Sequence, residues 1–179
     1  AGGINHSILS AQHQNLLDDL VQFYNIRHHF IKIIGLNNHY AHSKIENGVR
    51  WLKKLHLDSK KILMIAEESI KLKGDFTIVL AGGKSPKKLY EILKGSNSEW
   101  AKWIVYIGDE RCLPIDDNER NDGQIMKEWL NVSHIKKENI YSIRAELGML
   151  NAKLDYEKVL SKVDVFDVVL LSVGEDGHT

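Results

Sequence analysis

Cysteine is almost absent: Cys112 is the only one in 179 residues. That excludes an intrachain disulfide and a four-cysteine metal site, and a reducing, cytosolic setting is the simple reading. Net charge is absent too, with 24 basic and 24 acidic residues. A balanced chain lacking a dense basic stripe with interleaved aromatics does not read as a nucleic-acid binder. No apolar run approaches the ~20 residues of a membrane-spanning helix. The first residues, Ala1-Gly2-Gly3 onward, lack the basic flank and apolar core of a secretory leader.

What is present suits one domain, or one domain with an appendage: 43% hydrophobic and 27% charged residues. Residues 1–57 stand apart as a histidine-rich helical extension, holding seven of the nine histidines (His6, His13, His28, His29, His39, His42 and His56). Leu16, Leu17, Leu20, Val21, Tyr24 and Ile31 recur at helical spacing, which predicts one helix from about Ser10 to Ile34. A second helix is expected over Lys44 to Leu55. His39 and His42 are three apart, but no carboxylate or cysteine nearby completes a metal shell, so a polar helical face is the reading.

Residues 58–179 alternate. Asp58 or Ser59 is expected to cap a helix running to about Lys73, ended by Gly74. Phe76 to Ala81 reads as a buried strand, and Pro86 suits the first turn of the helix after it. Trp103 to Ile107 is a second strand. Helices are expected over Asn121 to Leu130 and Asn151 to Val163, with a short strand over Ile140 to Ile143. The last strand, Val168 to Val173, is a near-continuous β-branched and leucine run, the pattern of burial on both faces of a parallel sheet. The fold class is therefore α/β: an open parallel, Rossmann-like sheet flanked by helices.

In such a sheet the loops leaving the strand carboxyl ends share one rim. Three polar loops do so here. Gly82, Gly83, Lys84 and Ser85 offer two glycines, backbone N–H groups, a helix start and a lysine, which suits an anion. The competing reading is a glycine turn chosen for tight packing. The loop is not a Walker A motif, because Ile78 stands where the first glycine would be needed. The second loop sets Asp109, Glu110 and Arg111 directly after a strand. Arg111 could grip a phosphate or carboxylate through two hydrogen bonds, or the three charges could be an ordinary solvated turn. Cys112 beside them reads as a small buried residue. The third loop carries Asp176 and His178. An imidazole with pKa near ~6.5 serves as a general base at neutral pH, worth roughly 10²–10⁴ in rate. Either Asp176 or Asp109 could set its tautomer. No G-x-S-x-G elbow surrounds Ser85, which favours attack by water over a covalent intermediate.

The three loops, read as LAGGKSP, IGDERCLPIDDNERND and LLSVGEDGHT, resemble the signature blocks of the 6-phosphogluconolactonase family, in order and at similar spacing from about Lys60 to Thr179. The resemblance implies a NagB/RpiA-like α/β fold. It implies hydrolysis of 6-phospho-D-glucono-1,5-lactone to 6-phosphogluconate, in the oxidative pentose phosphate pathway, with no cofactor and no metal. Carried onto this chain it makes His178 the base and places Asp109 in the catalytic site. Gly82, Gly83, Lys84, Ser85, Arg111, Asn121 and Asp176 become substrate contacts, and a sugar-phosphate lactone the small-molecule partner. Arg120 departs from the pattern, which usually has serine before the asparagine. The pattern also continues past His178-Thr179 with A-S-L-F-P and a long further segment, so the chain is expected to be a fragment, incomplete at its C-terminus, with little or no activity by itself. Its extension and its lysine- and asparagine-rich character resemble bifunctional proteins in which the lactonase is fused ahead of glucose-6-phosphate dehydrogenase. The rival readings are a glucosamine-6-phosphate deaminase, which usually carries tyrosine or phenylalanine where Arg111 stands, and a non-catalytic sugar-phosphate-binding module.

Overall fold

The computed structural model describes residues 29–34 and 44–173. Five strands form one sheet in the order β1-β5-β2-β3-β4. They are β1 (His29–Ile34), β2 (Phe76–Leu80), β3 (Trp103–Ile107), β4 (Ile140–Tyr141) and β5 (Val168–Val173), and every neighbouring pair is parallel. Four helices connect or flank them: α1 (Lys44–Lys73), α2 (Lys84–Lys94), α3 (Asn121–Glu128) and α4 (Met149–Leu160).

The period-two alternation of the strands sorts their side chains onto two faces. Phe76, Ile78 and Leu80 of β2, Trp103, Val105 and Ile107 of β3, and Val168 and Leu170 of β5 share a core with α1, α2 and α3. The intervening Val79, Tyr106 and Val169 join Tyr156 of α4 and Phe166 in a second, smaller core. Helices on both faces oblige the central strands to be apolar on both sides, which is why their sequences run nearly without polar breaks. The larger core holds a ring cluster. Trp103 and Trp129 are fully buried, 6.0 Å apart and edge to face, and truncating one such ring costs about 3–5 kcal/mol. The Trp129 indole N–H has no hydrogen-bond partner among the described residues. Its ring meets both Trp100 and Trp103 edge-on, an arrangement in which aromatic faces can accept a weak bond.

Two expectations about the first third need correction. The helices expected on either side of residue 57 are one continuous α1 of 30 residues. Asp58 pairs with Lys54 one turn back at 2.6 Å, and the Ser59 hydroxyl donates to the His56 carbonyl. Both side chains thus serve inside a helix instead of capping a new one. His29–Ile34, expected to close the first helix, is a strand registered against β5 from His29↔Val168 to Ile34↔Val173. An isoleucine-rich stretch satisfies either period locally, and pairing with β5 decides it. The sheet therefore draws a strand from the region expected to be a helical extension, and the expected boundary falls within α1. The rest of that first helix, and the His39–His42 pair, lie outside the described residues.

The strand order reverses between β5 and β2. Chain direction runs from β2 outward through β3 to β4, then returns to β5 on the other side of β2. The crevice outside the carboxyl ends of two such strands is where open α/β sheets bind ligands.

Candidate active site

Two buried tyrosines secure the carboxyl ends of β2 and β3 from opposite faces. Tyr90 of α2 donates to the Ala81 carbonyl at 2.6 Å, and Tyr156 of α4 donates to the Ile107 carbonyl at 2.8 Å. Burial pushes the Tyr90 hydroxyl far above its ordinary range, so it stays a donor. Gly108 N–H reaches the Leu80 carbonyl at 2.8 Å and locks the two strand ends level. Beyond them the loops diverge. Gly83 takes φ 97°, a conformation that favours glycine, and directly precedes α2. No acidic residue sits in the first turn of α2, and a helix start of that kind favours negative charge nearby.

Gly82 and the second loop meet through Asn121. A Cβ on Gly82 would lie 2.1 Å from Asn121 Oδ1, so only glycine lets the asparagine amide lie against the strand end. The same amide donates through Nδ2 to the carbonyl and to Oδ2 of Asp109, each at 3.0 Å. Asp109 and Arg111 are exposed. The Arg111 guanidinium has no hydrogen bond or ion pair among the described residues, and its backbone N–H donates to Glu110.

Glu110 takes no outward position. Its carboxylate accepts from the backbone N–H groups of Arg111, Asn121 and Asp122, at 2.7, 2.7 and 2.8 Å, and so caps α3. Burial pushes this carboxyl above its ordinary range, against the three N–H groups that favour its charge. Arg120, 1% exposed, forks onto Asp122 at 3.0 and 2.9 Å and reaches Glu146 at 3.0 Å. Burial opposes the charge on Asp122 too, but the Arg120 guanidinium holds that carboxyl below the usual range.

Of the residues singled out in the sequence, the structure brings Gly82, Asp109 and Asn121 into contact, with Gly83 and Arg111 adjacent in chain. Lys84 and Ser85 open α2. His178 and Asp176 lie outside the described residues. Cys112 is exposed and not buried as expected; the chain turns there, Leu113 N–H bonding to the Arg111 carbonyl, and it is Leu113 that is partly buried. The capping role of Glu110, the anchoring tyrosines and the Arg120–Glu146 link were not read from sequence. A glutamate eleven residues before a helix start carries no local signal of its role, since the loop must close before it reaches that helix.

The arrangement is that of an open parallel α/β sheet with a glycine loop after β2 and an acid–arginine loop after β3 on one rim. The chain belongs to the glucosamine-6-phosphate isomerase/6-phosphogluconolactonase family, whose model matches residues 56–179. A Drosophila melanogaster protein named a probable 6-phosphogluconolactonase is 37% identical over 117 residues, 64% of this chain and 48% of that protein. The chain spans about half the length of the curated relatives it matches. The crystal structure of a 6-phosphogluconolactonase from Thermotoga maritima superposes with TM-score 0.66 at 24% identity, covering 84% of this chain and 62% of that one. A monomeric glucosamine-6-phosphate deaminase superposes with TM-score 0.59 at 19% identity, over 83% and 56%. The fold is thus shared by both activities. Among the described residues no helix is long and apolar enough to cross a membrane.

Proposed function

We propose that this chain carries the substrate-facing loops of a 6-phosphogluconolactonase acting on 6-phospho-D-glucono-1,5-lactone. The observation that supports it most is the Gly82–Asn121–Asp109 contact beside an exposed Arg111 whose guanidinium has no partner among the described residues. The glycine loop and the start of α2 take the phosphate, with Lys84 adding charge. His178 removes a proton from water, whose oxygen attacks the lactone carbonyl carbon. The resulting oxyanion is met by backbone N–H groups or by Arg111. Collapse breaks the bond from carbonyl carbon to ring oxygen, that oxygen takes up a proton, and 6-phosphogluconate leaves. The chemistry calls for no metal and no organic cofactor. A cytoplasmic setting, which rests on the scarcity of cysteine, and fusion ahead of a dehydrogenase domain that would supply the lactone, which rests on the sequence resemblance, belong to the same reading.

The test is an assay of the whole protein on the lactone and on glucosamine 6-phosphate. Lactone hydrolysis lost in His178→Ala, about 10²–10⁴-fold in kcat, supports the proposal. Ammonia release without lactone hydrolysis assigns the deaminase activity and ends it.

A further inference from the structure

The loop that presents Asp109 and Asn121 depends on a side chain that faces no substrate. All five N–H donors of Arg120 are used. Nε and Nη2 fork onto Asp122, at 3.0 and 2.9 Å. Nη1 reaches Glu146 at 3.0 Å and the Leu113 carbonyl at 3.3 Å, and Nη2 also reaches the Ile143 carbonyl at 3.0 Å. A guanidinium so saturated and 1% exposed has nothing left for a ligand. It does tie together three segments: the loop after β3, the first turn of α3, and the connection from β4 to α4.

The next residue along the chain is Asn121, whose backbone N–H is held by Glu110 at 2.7 Å and whose amide holds Asp109. Glu110 itself lies 3.7 Å from Arg120 Nε, with no side-chain exposure. Any slack in Arg120 is passed through one peptide bond and one shared carboxylate to the buried Asn121 amide, and through it to the exposed Asp109. Serine, the residue of the family pattern at this position, is too short to span to Ile143 and Glu146. In this chain the site therefore recruits an acid 26 residues downstream, outside all three signature loops.

We propose that Arg120 and Glu146 form a positioning pair that sets the placement of Asn121 and Asp109 toward substrate. The catalytic part of this inference rests on the lactonase reading above. The pair acts through Asn121 and touches no reacting atom. Glu146→Gln keeps size and removes the charge that draws Nη1. Arg120→Lys keeps charge but lacks the fork.

Both variants are tested in the whole protein, well below their melting temperatures. Misplacement of a contact group costs up to about 10²-fold. We expect kcat/KM for the lactone to fall about 10- to 100-fold in Arg120→Lys and roughly 10-fold in Glu146→Gln. Arg144→Ala is the control: Arg144 is exposed and approaches Glu146 only at 3.7 Å, and its kcat/KM stays that of the wild type. The Asn121 side-chain amide resonances report the pair independently of activity, and they shift in both variants. Wild-type kcat/KM with unmoved Asn121 resonances in a folded Glu146→Gln protein overturns the proposal. A wild-type protein without lactonase activity ends the functional reading instead, and the Asn121 resonances then still decide whether the pair positions the loop.

Discussion

The two edges of the sheet use polar residues in opposite ways. At the amino edge, Thr77 at the start of β2 and Asp167 just before β5 close on each other. Thr77 N–H and Oγ1 donate to Asp167 Oδ2, at 2.7 and 2.9 Å, and Asp167 N–H donates back to Thr77 Oγ1 at 3.0 Å. Lys73 completes the set, 3.0 Å from Asp167 and 2.6 Å from Asp75. These groups satisfy one another and join two strands 90 residues apart. At the carboxyl rim an equally dense network, built on Arg120 and Glu110, ends with Asp109 exposed and with Arg111 exposed and unpaired among the described residues. Polar groups that close a circuit hold the fold, and those a circuit holds up and leaves open are available to a ligand.

The largest expected effect falls on the rim's support. Arg120→Met leaves Glu110 and Asp122 without their counter-charge and costs about 3–5 kcal/mol in urea unfolding. Next is Gly82→Ala, whose methyl must displace the Asn121 amide. It costs about 1–3 kcal/mol and removes the Asn121–Asp109 contact, so activity falls further than stability does. Thr77→Val, at the closed edge, costs about 1–3 kcal/mol with kcat/KM unchanged. Equal losses of activity from Thr77→Val and Gly82→Ala would erase the distinction between the edges.

The smallest effect is on pH dependence. Asp122 and Glu146 lie below their ordinary values of 3.8 and 4.5, Glu146 through its own backbone N–H first and Arg120 second. Their contribution is present above those values and lost as pH falls through the lowered ones. Glu110, raised by burial, works the other way: its contribution is complete below 4.5 and lost as pH rises. The share that depends on Asp122 is the one lost toward acid. The melting temperature of Asp122→Asn should therefore fall less steeply than that of the wild type between pH 5 and 3.

Several features were legible before any coordinates. The WIVYI stretch is β3 to the residue, because a short apolar run between a lysine and a glycine leaves little choice of register. Gly74 ends α1 with φ 91°; of the rim contacts, Gly82 and Asp109 are legible from their places after strands, and Asn121 through the family resemblance. The continuity of α1 was not legible, because Asp58 and Ser59 are good caps and good helix-surface residues alike. Nor was β1, whose partner lies over a hundred residues downstream. Arg120 stood out only as a departure from a pattern, and its reach to Glu146 exists only once α4 has packed against the sheet.

By itself the amino-acid sequence determined the alternation of strand and helix and the chemistry at each strand end, since periodicity, glycine and charge act over a few residues. The tertiary structure alone decided which loops touch, which charges are consumed and which remain open. Those outcomes depend on burial and pairing between distant segments, where the cost of an unmatched charge depends on what the rest of the chain brings beside it.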